Sequence, residues 1–218
     1  MDGANAIVKF FQDGGMFMYF IMLVFALGAA IGLERYFYLT KAKLINRSMW
    51  NKLTPLVQAN NYQQAMAIAS KSKSDIGHIL AYGLSRLQST KRRDDIEMAM
   101  DEGLMEVIPR LEKRTHYLAT FANIATLLGL LGTIIGLIQA FTAVANANPA
   151  DKADLLSASI SVAMNTTAFG LMAAIPLLLM YTVLQTKTTE LVDSMEMATV
   201  KFLNAITEYR QPSHRNAD

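Results

Sequence analysis

The stretch Leu118–Ala145, LATFANIATLLGLLGTIIGLIQAFTAVA, carries no charged side chain. At about 1.5 Å of rise per residue a helix of that length exceeds the roughly 30 Å hydrocarbon core of a bilayer, so it reads as a transmembrane helix. Within it Ala122, Thr126, Gly129, Thr133, Gly136, Ala140 and Ala143 recur at alternating steps of four and three, which gathers them on one face. Leu127, Leu128, Leu131, Ile134, Ile135 and Ile138 cover the rest. A small-residue stripe lets helix backbones approach closely, and hydroxyls in hydrocarbon need a partner or a wet cavity. Two readings follow: a helix-packing seam, or one wall of a narrow polar pore.

Working outward, the next apolar block is Ser157–Leu184, with its own stripe at Ser159, Ala163, Thr167, Gly170 and Ala174. Ser157, Ser161 and Asn165 add polarity to its first half, and Pro176 removes a backbone donor and is expected to kink the helix. The loop between the blocks, residues 146–156, has turn chemistry around Pro149, so the two spans form an antiparallel hairpin. A further uncharged block, Met16–Leu33, ends at Glu34-Arg35 followed by Tyr36, Phe37 and Tyr38, which reads as an uncleaved span with an interfacial aromatic belt.

The chain is 52% hydrophobic and 17% charged, and its formal net charge of +2 matters less than its distribution. Lys and Arg concentrate in residues 34–116 and again after Gln185, whereas the N-terminal segment holds Lys9 and the loop at 146–156 holds Lys152. By the positive-inside rule the middle segment and the tail are cytoplasmic and the N-terminus is outside. The expected layout is a periplasmic or interfacial segment 1–15, TM1 at 16–33, a cytoplasmic helical region 34–116, TM2 at 117–145, a periplasmic loop 146–156, TM3 at 157–184, and a cytoplasmic helix and tail 185–218. Within 34–116, LTPLVQANNYQQAMAIASKS and IGHILAYGLSRLQS read as short amphipathic helices, neither with enough apolar surface for its own core. From Asp94 one long helix is expected to run into TM2, bent or jointed at Pro109. The tail to Ile206 is amphipathic and expected to pack beside these cytoplasmic helices.

Several function classes are excluded or weakened. With no cysteine there is no disulfide framework, thiol nucleophile or thiolate metal site, and His78, His116 and His214 are scattered, none with another histidine at helical spacing, so no metal or cofactor is expected. No nucleophile–base pair or paired carboxylate stands at membrane depth, which argues against an enzyme. Lys91-Arg92-Arg93, followed by an acidic helix, reads as a solvated run rather than a nucleic-acid contact, and Glu102 and Glu106 as surface ion-pair formers. No Asp, Glu, Lys, Arg or His lies inside any of the three spans. A proton or ion pathway usually needs a titratable group at depth, so a proton channel built from this chain requires a carboxylate from elsewhere.

The segments LLGLLGTIIGLIQAF in the second span and NTTAFGLMAAIPLLLMY in the third strongly resemble the ExbB, TolQ and MotA family of proton-channel and motor subunits, over roughly residues 94–185. The resemblance implies an all-α membrane subunit with long helices extending into the cytoplasm, assembled as a homo-oligomeric ring of five in a bacterial inner membrane. It implies a single-span partner of the ExbD, TolR or MotB type that carries the proton-binding aspartate, and an energy transducer like TonB or TolA. The family's pore threonines map onto Thr133 and Thr167, with Thr126, Asn165 and Ser161 as further candidates for holding water. Gly129, Gly132, Gly136 and Gly170 are expected to set helix spacing. Two positions depart from the pattern: Val162 stands where ExbB-type chains often carry a glutamate, and Thr126 where proline is common. Three spans with an outside N-terminus favour the ExbB and TolQ branch over MotA. The expected function is conversion of proton motive force into work, with TonB-dependent uptake as the process served. The alternatives are a TolQ-like or MotA-like role and a non-conducting membrane scaffold.

Overall fold

The computed structural model describes residues 15–90 and 92–210, and among these every regular element is an α-helix. In chain order they are α1 Phe17–Gln58, α2 Tyr62–Ser70, α3 Asp75–Ser89, α4 Arg93–Glu112, α5 His116–Asn146 and α6 Lys152–Arg210. Three stretches, Phe17–Gln58, Arg93–Asn146 and Lys152–Thr207, are long and apolar enough to cross a membrane. The interfacial reading of residues 1–15 falls outside the described residues except for Gly15. That glycine adopts φ +74°, a left-handed turn that only glycine enters freely, just before α1 begins.

The chain divides into two compact units. The first comprises α1 as far as Arg35 together with Arg114–Val183. Its core is Ile21, Ala122, Ala125, Ala173, Ala174 and Leu177, with Val24, Phe25, Phe121, Leu128 and Phe169 packed around them. Four of the six central residues are alanines of α5 and α6, so those helices meet backbone to backbone while α1 supplies the bulk. The loop between them is shorter than the sequence implies. It covers residues 147–151, closed by donation from Asp151 N to Asn148 O at 3.0 Å, because helical hydrogen bonding resumes at Asp151.

The second unit is Tyr36–Lys113 together with the chain from Leu184. Here α2, α3 and α4 pack with the distal parts of α1 and α6. Leu39, Leu53, Ile79, Leu80, Leu84, Ile96, Met100, Leu111 and Phe202 are all nearly fully buried. A Cβ on Gly83 would meet the Met100 side chain and the Phe202 ring, so the tail packs against α3 and α4 as its amphipathic pattern implies. Side-chain caps start the short helices: Asn61 accepts from Gln64 N at 3.3 Å and Ser74 accepts from Gly77 N at 3.0 Å. Glu190 accepts from Lys43 at 2.7 Å, and the Lys187 ammonium lies 3.6 Å from the centre of the Tyr36 ring.

Two boundaries differ from the sequence reading. The segment LTPLVQANNYQQAMAIASKS is not one helix: α1 ends at Gln58, and Asn60 at φ +59° turns the chain into α2. Asparagine tolerates the left-handed region better than most residues, which makes this the natural break. Nor is the lead into the second long span one continuous helix jointed at Pro109. Pro109 lies inside α4, and the break falls at residues 113–115, where Arg114 takes φ +66°. A left-handed non-glycine residue costs on the order of 1–2 kcal/mol. The Arg114 guanidinium reaches Glu34 at 3.8 Å.

Glu106 organises a polar cluster in this second unit. Its carboxylate accepts from Tyr82 Oη at 3.1 Å, lies 2.9 Å from His78 Nε2, and pairs with Arg110. The bond from His78, then that from Tyr82, holds the Glu106 carboxyl below its ordinary 4.5. The same contact pushes the Tyr82 phenol above its ordinary 10.0. A carboxyl lowered on folding adds stability that is present above pH 4.5 and is lost as the pH falls through the lower folded value. Glu106→Gln should therefore lower the melting temperature slightly at neutral pH and leave no difference in acid. An equal gap at both pH values would show that the charge contributes nothing.

Candidate functional site

The site is the seam between α5 and α6. Glycine makes the seam possible. A Cβ on Gly129 would stand 3.3 Å from Gly170 Cα, Thr166 O and Thr167 Cα, and a Cβ on Gly170 would stand 2.8 Å from Ala125 O and 3.0 Å from Gly129 Cα. At Gly136 the added atom would meet Ala163 Cβ at 2.9 Å, and at Gly132 it would run into the Thr166 methyl and come within 3.4 Å of Phe17 Cβ. Gly129, Gly136 and Gly170 therefore seat α6 directly against α5, while Gly132 lies beside both α6 and the start of α1.

This close approach brings Thr133 and Thr167 together. Their hydroxyls are in direct hydrogen-bonding contact. Thr167 Oγ1 donates across the seam to Gly129 O at 2.9 Å. Thr133 Oγ1 reaches the same carbonyl within its own helix at 3.2 Å and Ala163 O at 3.4 Å. Each hydroxyl has one proton and two lone pairs, so the pair holds two protons against more acceptors than it can serve at once. Rotating the hydroxyls presents either a proton or a lone pair to a third group. Such a pair can donate to a carboxylate and accept from a carboxylic acid. Both side chains are half-buried, so one side remains open.

Thr126 lies two turns before Thr133 on the same face, exposed, with its hydroxyl donating to Ala122 O at 3.1 Å. Asn165 and Ser161 are not brought to the pair. At 100° per residue they project about 160° and about 120° away from Thr167 around α6, so polarity at the right depth does not place them on the right face. Asn165→Leu should accordingly leave proton flux within about twofold, a small change for a residue turned away from the threonine pair; a loss as large as that from a threonine variant would overturn this expectation. Pro176 lies inside α6 below the seam. A residue missed from the sequence is Thr166, 2% exposed, donating to Val162 O at 3.0 Å with its methyl against Gly132. Adjacent threonines on a helix point about 100° apart, so the doubled Thr166-Thr167 was the available signal that two interfaces meet there. No group of His, Cys, Asp or Glu among the described residues could hold a metal ion.

A family model described as the MotA/TolQ/ExbB proton channel family matches residues 71–197, more than half of the chain and including the whole seam. The chain belongs to that family. It is 25% identical over 195 residues to a putative biopolymer transport protein ExbB homolog of Methanothermobacter thermautotrophicus, covering 88% of this chain and 68% of the relative. It is 34% identical over 119 residues to the Tol-Pal system protein TolQ of Haemophilus influenzae, covering 55% of this chain and 49% of that one. The biopolymer transport protein ExbB of Aquifex aeolicus is 31% identical over 111 residues, with 51% and 72% covered. Among solved structures, C. jejuni MotAB shares the fold with a TM-score of 0.60 over 91% of this chain and 80% of that chain, at 15% identity. Membership of the MotA/TolQ/ExbB proton channel family makes this a membrane protein whose fold is all-helical with three long apolar stretches.

Proposed function

We propose that this chain is the ring-forming subunit of an inner-membrane proton motor, closest in role to the ExbB and TolQ branch, and that it works with a single-span partner of the ExbD or TolR type. The observation that carries this reading is the Thr133–Thr167 hydroxyl pair, set in spans that contain no Asp, Glu, Lys, Arg or His. A proton needs a carrier at that depth, and hydroxyls cannot ionise at neutral pH, so a partner helix supplies the carboxyl group. The threonine pair then lowers the cost of holding that group in both its charged and its neutral form, by donating to one and accepting from the other. A homopentameric ring in a bacterial inner membrane, with the N-terminus periplasmic and the C-terminus cytoplasmic, places the basic segments 34–116 and 185–218 on the cytoplasmic side. The work delivered goes to a TonB-like or TolA-like transducer, with TonB-dependent transport as the process served.

The test is proton flux into liposomes containing the chain alone, its co-expressed single-span partner alone, or both. Flux only with both supports the shared-pore reading; flux from this chain alone, or none in any combination, overturns it. One observation favours a second reading, a non-conducting scaffold: both hydroxyls already reach backbone carbonyls within the chain, as packing threonines in membrane helices do. That reading requires that valine at both positions leave energised transport intact.

A further inference from the structure

The ring proposed above needs a contact between copies, and the second structural unit carries two exposed faces that complement one another. On α4, Asp94, Met98, Asp101 and Met105 fall within an arc of about 60°. Met98 and Met105 are 70% and 72% exposed; Asp94 faces Arg92 at 3.8 Å, an exposed pair, whereas Asp101 has no basic partner among the described residues. This is an acidic ridge with two flexible apolar knobs.

The complementary face is a groove between the distal part of α1 and the tail of α6. Lys43, Asn46, Arg47, Trp50, Ser194, Met197 and Lys201 are among the residues lining about 200 Å³ of it, and a second stretch of about 270 Å³ continues from Trp50 and Lys201 towards Phe202. Lys43 is neutralised by Glu190 at 2.7 Å, whereas Arg47 and Lys201 have no acidic partner among the described residues. Met197 stands 55% exposed on the rim beside them. An apolar floor with two uncompensated cations fits a helix that offers carboxylates and methionines at helical spacing. The α4 ridge is such a helix.

We infer that the α4 ridge of one copy seats in the α1–α6 groove of the next, Asp94 and Asp101 against Arg47 and Lys201, Met98 and Met105 against Trp50 and Met197. The ridge and the groove are different faces of one unit, so the contact is head-to-tail, the kind that closes into a ring when its rotation allows. The charges set register and choice of partner, and the methionines adapt to an irregular floor. The inference rests on the ring reading and adds which surfaces meet.

The chain contains no cysteine, which makes the test direct. Met98→Cys and Met197→Cys, both at exposed positions, are introduced singly and together into the full chain, and membranes are oxidised with copper–phenanthroline. A head-to-tail contact gives a ladder up to the ring in the double variant and none in either single one. Asp101→Lys should cut the ladder about fivefold by opposing like charges, and adding Lys201→Asp should restore it. Native mass spectrometry of the unoxidised protein with its partner separates the failures. A ring mass without a ladder overturns this interface and leaves the ring, with bound phospholipid in the spectrum marking a lipid as the groove's occupant. A monomer mass overturns both.

Discussion

With Thr133→Val and Thr167→Val combined, partner-dependent proton flux is expected to fall by about one to two orders of magnitude while the protein remains folded. Valine matches threonine in shape, so the Gly129–Gly170 contact survives, and what is lost is the hydroxyl pair. The proposed partner's carboxyl group, on losing hydrogen bonds to this pair in hydrocarbon, would be destabilised by about 1–3 kcal/mol. At about 1.4 kcal/mol per factor of ten this gives the expected range. Single variants should each retain part of the flux, because Thr133 alone still reaches Gly129 O and Ala163 O, and Thr167 alone still reaches Gly129 O. The two losses should therefore combine non-additively, as for groups sharing one network. Undiminished flux in the double variant, measured with pH-sensitive dye in liposomes, would reduce both threonines to packing residues and bring the scaffold reading forward.

Gly170→Ala is expected to be more damaging than the same methyl at Gly129 or Gly28, lowering stability by about 2–3 kcal/mol. The new Cβ would stand 2.8 Å from the Ala125 carbonyl oxygen and 3.0 Å from Gly129 Cα, and both are backbone atoms of a helix that cannot yield without separating from α6. Gly129→Ala should cost less, since its nearest contacts are 3.3 Å away. Gly28→Ala is the control: its Cβ would also come within 2.8 Å of an atom, but that atom is the end of the Leu177 side chain rather than helix backbone. The measurement is the midpoint of thermal loss of the monodisperse peak in detergent. An order other than Gly170 worst, Gly129 next and Gly28 mildest would show that side-chain bulk rather than backbone approach governs the seam.

The helical spans were readable because a bilayer imposes a simple rule on sequence: an uncharged run long enough to cross must satisfy its backbone internally. The small stripes were readable too, since positions four and three apart share a helix face whatever surrounds them. Depth does not give direction: Asn165 and Ser161 are polar and stand near Thr167 in the chain, yet the helical step turns them away from it. Reading failed at Arg114, where a left-handed arginine breaks a pattern that is helical on both sides, and Pro109, the residue with the stronger local signal, is accommodated inside α4.

The amino-acid sequence by itself determined that this chain is helical, that it holds three stretches able to cross a membrane, that those spans contain no Asp, Glu, Lys, Arg or His, and which threonines sit on small faces. These are properties of single segments, set by composition and by period. Only the tertiary structure decided that Thr133 and Thr167 touch, that both converge on the Gly129 carbonyl, and that Thr166 is turned towards Gly132 instead. Those facts depend on the depth at which two helices stop approaching each other. That depth is set by the backbone contact of Gly129 with Gly170, a pair far apart in the chain whose meeting no local period specifies.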